Sequence, residues 1–105
     1  MPKTGINRFA QGVAIALLFV MAACETAPPV QEMSDARQAI AVAREAGAEE
    51  HAPLQLQEAV DFLQRAEQKL NERDYLVARN QALAAKQRAQ DARRAAEDAR
   101  SSEQR

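Results

Sequence analysis

A small residue returns at helix-seam spacing along the whole C-terminal part of this chain. Tyr75, Ala78, Ala82, Ala85, Ala89, Ala92, Ala96 and Ala99 are separated by 3, 4, 3, 4, 3, 4 and 3 residues. That alternation is the seven-residue repeat of a helix seam, so it predicts one long helix carrying an alanine stripe. Asp74 can cap its start, because a carboxylate there accepts a hydrogen bond from a free backbone N–H at the positive end of the helix dipole. Alanine is the best helix former and lets two helix axes come close, but each one buries little apolar area. Intrinsic propensity must therefore supply part of what a leucine seam would supply by packing.

Two further helices precede it. The first begins between Val30 and Ser34 and ends near Ala46, with Gly47 available as a left-handed cap, and places Met33, Ala36, Ile40 and Ala43 on one side. The second starts at Pro53, whose fixed φ suits a first helical position, and carries the stripe Leu56, Ala59, Val60, Leu63, Ala66 and Leu70. Asp61 and Arg65 can pair on its wet side. Interruptions fall at Gly47 to Pro53 and at Asn71 to Asp74. The second link is short enough to force an antiparallel hairpin. Helices of roughly 16, 19 and 26 residues span about 24, 28 and 39 Å. A hairpin flush at its turn would leave the chain beyond Arg93 overhanging, with Ala96 and Ala99 exposed. That overhang either frays or meets another chain.

The fold class is thus all-α: an antiparallel helical hairpin with a shorter preceding helix, three helices in all, alanine-rich and coiled-coil-like. Composition agrees. Aromatic residues are only 4% of the 105, and three Gly and four Pro leave little material for a turn-rich sheet protein. A net charge of −1 offers no basic face for nucleic acid.

The first residues follow another logic. Lys3 and Arg8 are the only charges before Cys24, and an apolar stretch runs from Gly12 to Ala23. A basic start, a short apolar middle and small residues at the end make a secretory signal. Its dozen apolar residues would span about 18 Å as a helix, well short of the ~30 Å bilayer core. The stretch closes on Met21-Ala22-Ala23-Cys24, with the only cysteine directly after two alanines. This resembles a bacterial lipobox, in which a lipid is joined to the cysteine thiol and the chain is cut before it. The resemblance implies cleavage between Ala23 and Cys24, a covalent lipid (palmitate among its acyl chains) on Cys24, and no other cofactor. A simple cleaved export signal and an uncleaved anchor are the alternatives. The expected domains are a signal peptide over 1–23, a lipidated tether over 24–30, where Pro28 and Pro29 favour an extended chain, and a helical domain over 31–105. Loss of residues 1–23 leaves 12 Lys+Arg against 15 Asp+Glu, or −3. Glu25 stands where Asp is the better known inner-membrane retention signal, which favours the periplasmic face of the outer membrane.

Met33 to Arg100 also resembles the bacterial lipoprotein family known as domain of unknown function 4398. The resemblance rests on the Ala-rich first helix, Ala46-Gly47-Ala48, His51-Ala52-Pro53, the stretch from Leu56 to Ala66, and Asp74-Tyr75-x-x-Ala78 opening the last helix. It implies an envelope lipoprotein without an assigned activity.

Candidate chemistry is sparse. His51, beside Glu49 and Glu50, reads as a solvated loop residue, because two adjacent glutamates and one imidazole lack the spacing of a structural metal site. Tyr75 reads as a packed plug at the head of the seam. The tail from Arg93 to Arg105 reads as a wet helix face, with Asp91/Arg94 and Glu97/Arg100 at pairing distance. No glycine-rich phosphate loop, Cys/His cluster or nucleophile–base pair stands out, so the expectation is no catalytic residue, no metal and no small-molecule substrate. Two roles are open: a structural lipoprotein that self-associates through the alanine seam, or an adaptor presenting its last helix to an envelope protein.

Overall fold

The structure, a computed structural model, describes residues 27–105. The expected signal over 1–23, its cleavage point at Ala23 and the lipidation residue Cys24 lie outside the described residues. Four helices follow in order: α1 (Val30–Glu45), α2 (Ala48–His51), α3 (Pro53–Asn71) and α4 (Tyr75–Glu103). No strand occurs among the described residues, and no helix among them is long and apolar enough to cross a membrane.

Three of these helices are the expected ones; α2 is an addition inside the first link. Gly47 makes it possible. It adopts φ 92°, ψ 24°, a left-handed conformation that closes α1 through a bond from its N–H to the Arg44 carbonyl at 3.0 Å. Its own carbonyl then accepts from the Glu50 and His51 N–H groups at 3.2 and 3.0 Å, which starts one new turn. Pro53, with no N–H to give, ends that turn and opens α3. The link's backbone groups are thus used by a single helical turn.

The α3–α4 turn is a Schellman motif. Asp74 N–H bonds to the Lys69 carbonyl at 2.9 Å, and Arg73 N–H bonds to the Leu70 carbonyl at 3.0 Å. Arg73 holds the left-handed position, at φ 62°, where glycine is the usual occupant. Asp74 then caps α4 as expected, accepting from Val77 N–H at 3.5 Å.

Ion pairs between helices set out the topology. Glu32 meets Arg79 at 3.2 Å and Asp35 meets Lys86 at 3.9 Å, so α1 and α4 run the same way. Arg37 meets Glu67 at 3.3 Å, and Glu58 meets Arg88 at 3.5 Å, so α3 runs against both. The result is an up-down-up bundle with α4 as the helix that both others lean on. Its alanine face explains that position, since small side chains let the backbones of α1 and α3 come close to α4. Bulk comes from the other side: Met33, Ile40 and Leu56 fill the space over Ala82, Ala89 and Ala92, helped by half-buried Leu63 and Val60.

One expectation is overturned. Ala96 was expected to be exposed on an overhang, but it is fully buried, in one cluster with Ala43, Ala48 and Ala52; Ala99 is half-buried. The hairpin does leave α4 longer than α3. The missing partner is the α1–α3 link, whose extra turn folds over the end of α4. Arg100 fastens it, with Nη1 donating to the Ala46 carbonyl at 3.2 Å. The helix therefore continues to Glu103, where fraying from Arg93 had been one of the two expectations.

Candidate functional site

Residues 27–29 are held against the bundle. Arg79 of α4 is the clasp: its Nη2 donates to the Ala27 carbonyl at 3.4 Å while its Nε donates to Glu32 at 3.2 Å. Pro29 is fully buried, its carbonyl accepts from Met33 N–H at 3.0 Å, and Val30 is already the first residue of α1. Proline suits this boundary, because its fixed φ precedes a helix without strain and it has no N–H to leave unpaired. The described part of the expected 24–30 tether is thus docked on α4, and it is no free spacer.

The predicted seam residues come together as core. Ala78, Ala82, Ala85, Ala89, Ala92 and Ala96 have no exposed surface, Ala99 is half-buried, and Tyr75 is half-buried at the head of the row. This stripe is filled from within the chain, by side chains of the preceding helices. The free face of α4 is the opposite one. Leu76 and Leu83, 65% and 48% exposed, stand seven residues apart there. Sequence reasoning missed them because it followed the alanine row. Their own seven-residue spacing, on the other side of the same helix, was the signal.

Charged side chains line the surface around this end. Lys69 Nζ donates to Glu72 at 3.0 Å; that hydrogen bond first, and the Glu72 charge second, raise the Lys69 pKa above the ordinary lysine value. Elsewhere the pairs differ in part from those expected. Asp91 does pair with Arg94. Glu97 instead meets Arg93 at 3.6 Å, since Arg100 is taken by the link. Asp61 accepts from Gln57 at 3.0 Å, and Arg65 lies over the Phe62 ring at 5.3 Å, an attraction of cation to π-face in place of the expected ion pair.

His51 also departs from the solvated loop position. Its side chain is only 13% exposed, with Nδ1 3.8 Å from Glu103 and Nε2 3.9 Å from Glu50; Glu49 pairs with Arg44 at 3.2 Å instead. The turn of α2 presses the imidazole toward the end of α4. Among the described residues, no three His, Cys, Asp or Glu side chains gather where a metal ion would sit.

A shallow groove of about 240 Å³ runs between α1 and α4, lined by Asp35, Gln38, Ala39, Val42, Lys86, Gln90 and Arg93. Its lining offers two side-chain amides, the Asp35–Lys86 charge pair and the Arg93 guanidinium.

No curated protein and no solved structure matches the chain. One family does, over a span that takes in all four helices, the Gly47 link and the Asp74 cap. Through that match over residues 31–105, the chain belongs to the family described as Domain of unknown function (DUF4398).

Proposed function

We propose that this protein is a lipid-anchored lipoprotein of the bacterial envelope, held by acyl chains on Cys24 at the periplasmic face of the outer membrane. Its helical body acts there without catalysis, as a structural or envelope-organising element. The observation that carries this reading is Cys24 itself, the only cysteine, placed directly after Met21-Ala22-Ala23 at the end of a short apolar stretch with a basic start. The attachment is strong enough for the role: each buried methylene contributes about 0.8 kcal/mol, and more than one acyl chain is needed for stable anchoring. Glu25 supports the outer membrane as destination.

Two measurements test this. Intact mass of detergent-extracted protein is expected to show loss of residues 1–23 and added acyl mass on Cys24. Cys24→Ser is expected to abolish processing and move the protein out of the membrane fraction; unchanged partitioning would sink the reading.

A second reading, an adaptor for another envelope protein, is favoured by the exposed Leu76 and Leu83 on the outer stripe of α4. Sedimentation of a chain starting at Glu25 separates the two. A stable oligomer at low micromolar concentration supports the structural role. A monomer that captures one defined envelope protein supports the adaptor.

A further inference from the structure

The bundle leaves a lipid on Cys24 very little reach. Ala27 is clasped by Arg79, and Pro29 is buried under the first turn of α1. Three residue steps separate Ala27 from Cys24. At no more than ~3.6 Å per residue, the two lie within about 11 Å of each other whatever path the chain takes. The headgroup layer on one side of a bilayer is itself about 5–7 Å thick. A body tied that closely touches the leaflet with whichever end carries Ala27.

That end is well defined. α1 and α4 both start there and α3 ends there, so it presents Val30, the turn at residues 72–74, and Leu76. Val30 and Leu76 are 69% and 65% exposed, and Leu76 lies one turn before the Arg79 clasp. Arg73 is exposed at the tip of the turn with no ion pair among the described residues, whereas Glu72 is occupied by Lys69. The opposite end gathers Glu45, Glu49, Glu50 and Glu103 beside Arg44, Arg100 and Arg105, and the near turn carries Asp74 next to Arg73, so net charge does not separate the ends. Exposed leucines alone decide nothing, since single ones are ordinary on protein surfaces and Leu54, at the far end, is 69% exposed. The short reach is what selects between the two ends.

Resting on the lipidation of Cys24 proposed above, the geometry points to an end-on stance on the membrane. Val30 and Leu76 enter the headgroup boundary of the leaflet that holds the acyl chains, Arg73 meets lipid phosphates, and the acidic α1–α3 link is held away from the surface. A leucine and a valine there add apolar burial to the anchor, and the exposed Arg73 guanidinium suits a phosphate-rich layer.

The test uses the full chain, made and lipidated in a bacterial host. Leu76→Cys and Leu54→Cys are labelled separately with a fluorophore, the lipidated Cys24 sulfur being unreactive. Each is reconstituted in phosphatidylethanolamine and phosphatidylglycerol vesicles containing a headgroup spin-labelled lipid. The label at position 76 is expected to lose most of its emission, and the label at 54, about 25 Å away along α3, to keep nearly all of it. Circular dichroism on the same samples checks that both variants keep their helicity; both positions are exposed, so neither change disturbs the core. Equal quenching at the two positions, or none at 76 in vesicle-bound protein with acyl mass on Cys24, overturns the stance and leaves the anchor standing. Position 76 shielded from an aqueous thiol reagent in native membranes, yet unquenched by labelled lipid, overturns it in favour of a protein partner. Absence of acyl mass on Cys24 overturns stance and anchor together.

Discussion

Two residues hold the backbone where helices change direction, and they do so with opposite chemistry. Gly47 takes a positive φ at no steric cost, and a Cβ there would meet His51 Cδ2 at 3.4 Å and Arg100 Cδ at 3.6 Å. Gly47→Ala is expected to cost about 1–2 kcal/mol, read as a lower urea midpoint, because the left-handed conformation penalises any L side chain. Arg73 takes a similar conformation in the Schellman turn and carries that penalty already. Arg73→Gly is expected to stabilise the bundle by about 0.5–1 kcal/mol in the same measurement, the relief of strain exceeding the extra freedom glycine has in the unfolded chain. The value of Gly47 as a cap was legible from its place after an alanine-rich helix. The strain at Arg73 was not, since arginine gives no hint of a left-handed turn until both ends of the motif are seen.

Among the elements, α4 decides whether the others have anything to pack on. Its alanines bring high helix propensity and a flat face, and nearly all the large buried side chains come from α1 and α3. Ala85→Pro is expected to cost about 3 kcal/mol or more, enough to unfold a domain of this size, with loss of most helical circular dichroism. Ala96→Leu distinguishes the observed packing from an overhanging helix. On an overhang the added methylenes would be close to neutral. Against Ala43, Ala48 and Ala52 they are expected to cost about 1–3 kcal/mol by overpacking, seen as a lower thermal midpoint. The element that makes the difference is α2, a single turn of Ala48–His51. One turn is too short to produce a readable periodicity, so a link of Gly, Ala, Glu and His looked like loop.

At the scale of the whole molecule, the bundle is an up-down-up rod whose first and last helices start at the same end, beside residue 27. Under the proposed anchoring, that end faces the membrane and the end with Glu45, Glu49 and Glu50 faces away from it. The proposal of a lipid on Cys24 rests on residues 21–24 of the sequence alone, because a signal of that kind is local. The three long helices, the Gly47 cap and the Asp74 cap were readable, since hydrogen bonding within a helix involves residues at most four apart and leaves its period in the sequence. The antiparallel hairpin followed from a link too short for anything else. What covers Ala96 and where the tether ceases to be free were decided only in the tertiary structure. Each depends on contacts some fifty residues apart, such as Arg79 with Ala27 and Arg100 with Ala46. Contacts of that span follow from the axial offset of packed helices, and no local period in the sequence records that offset.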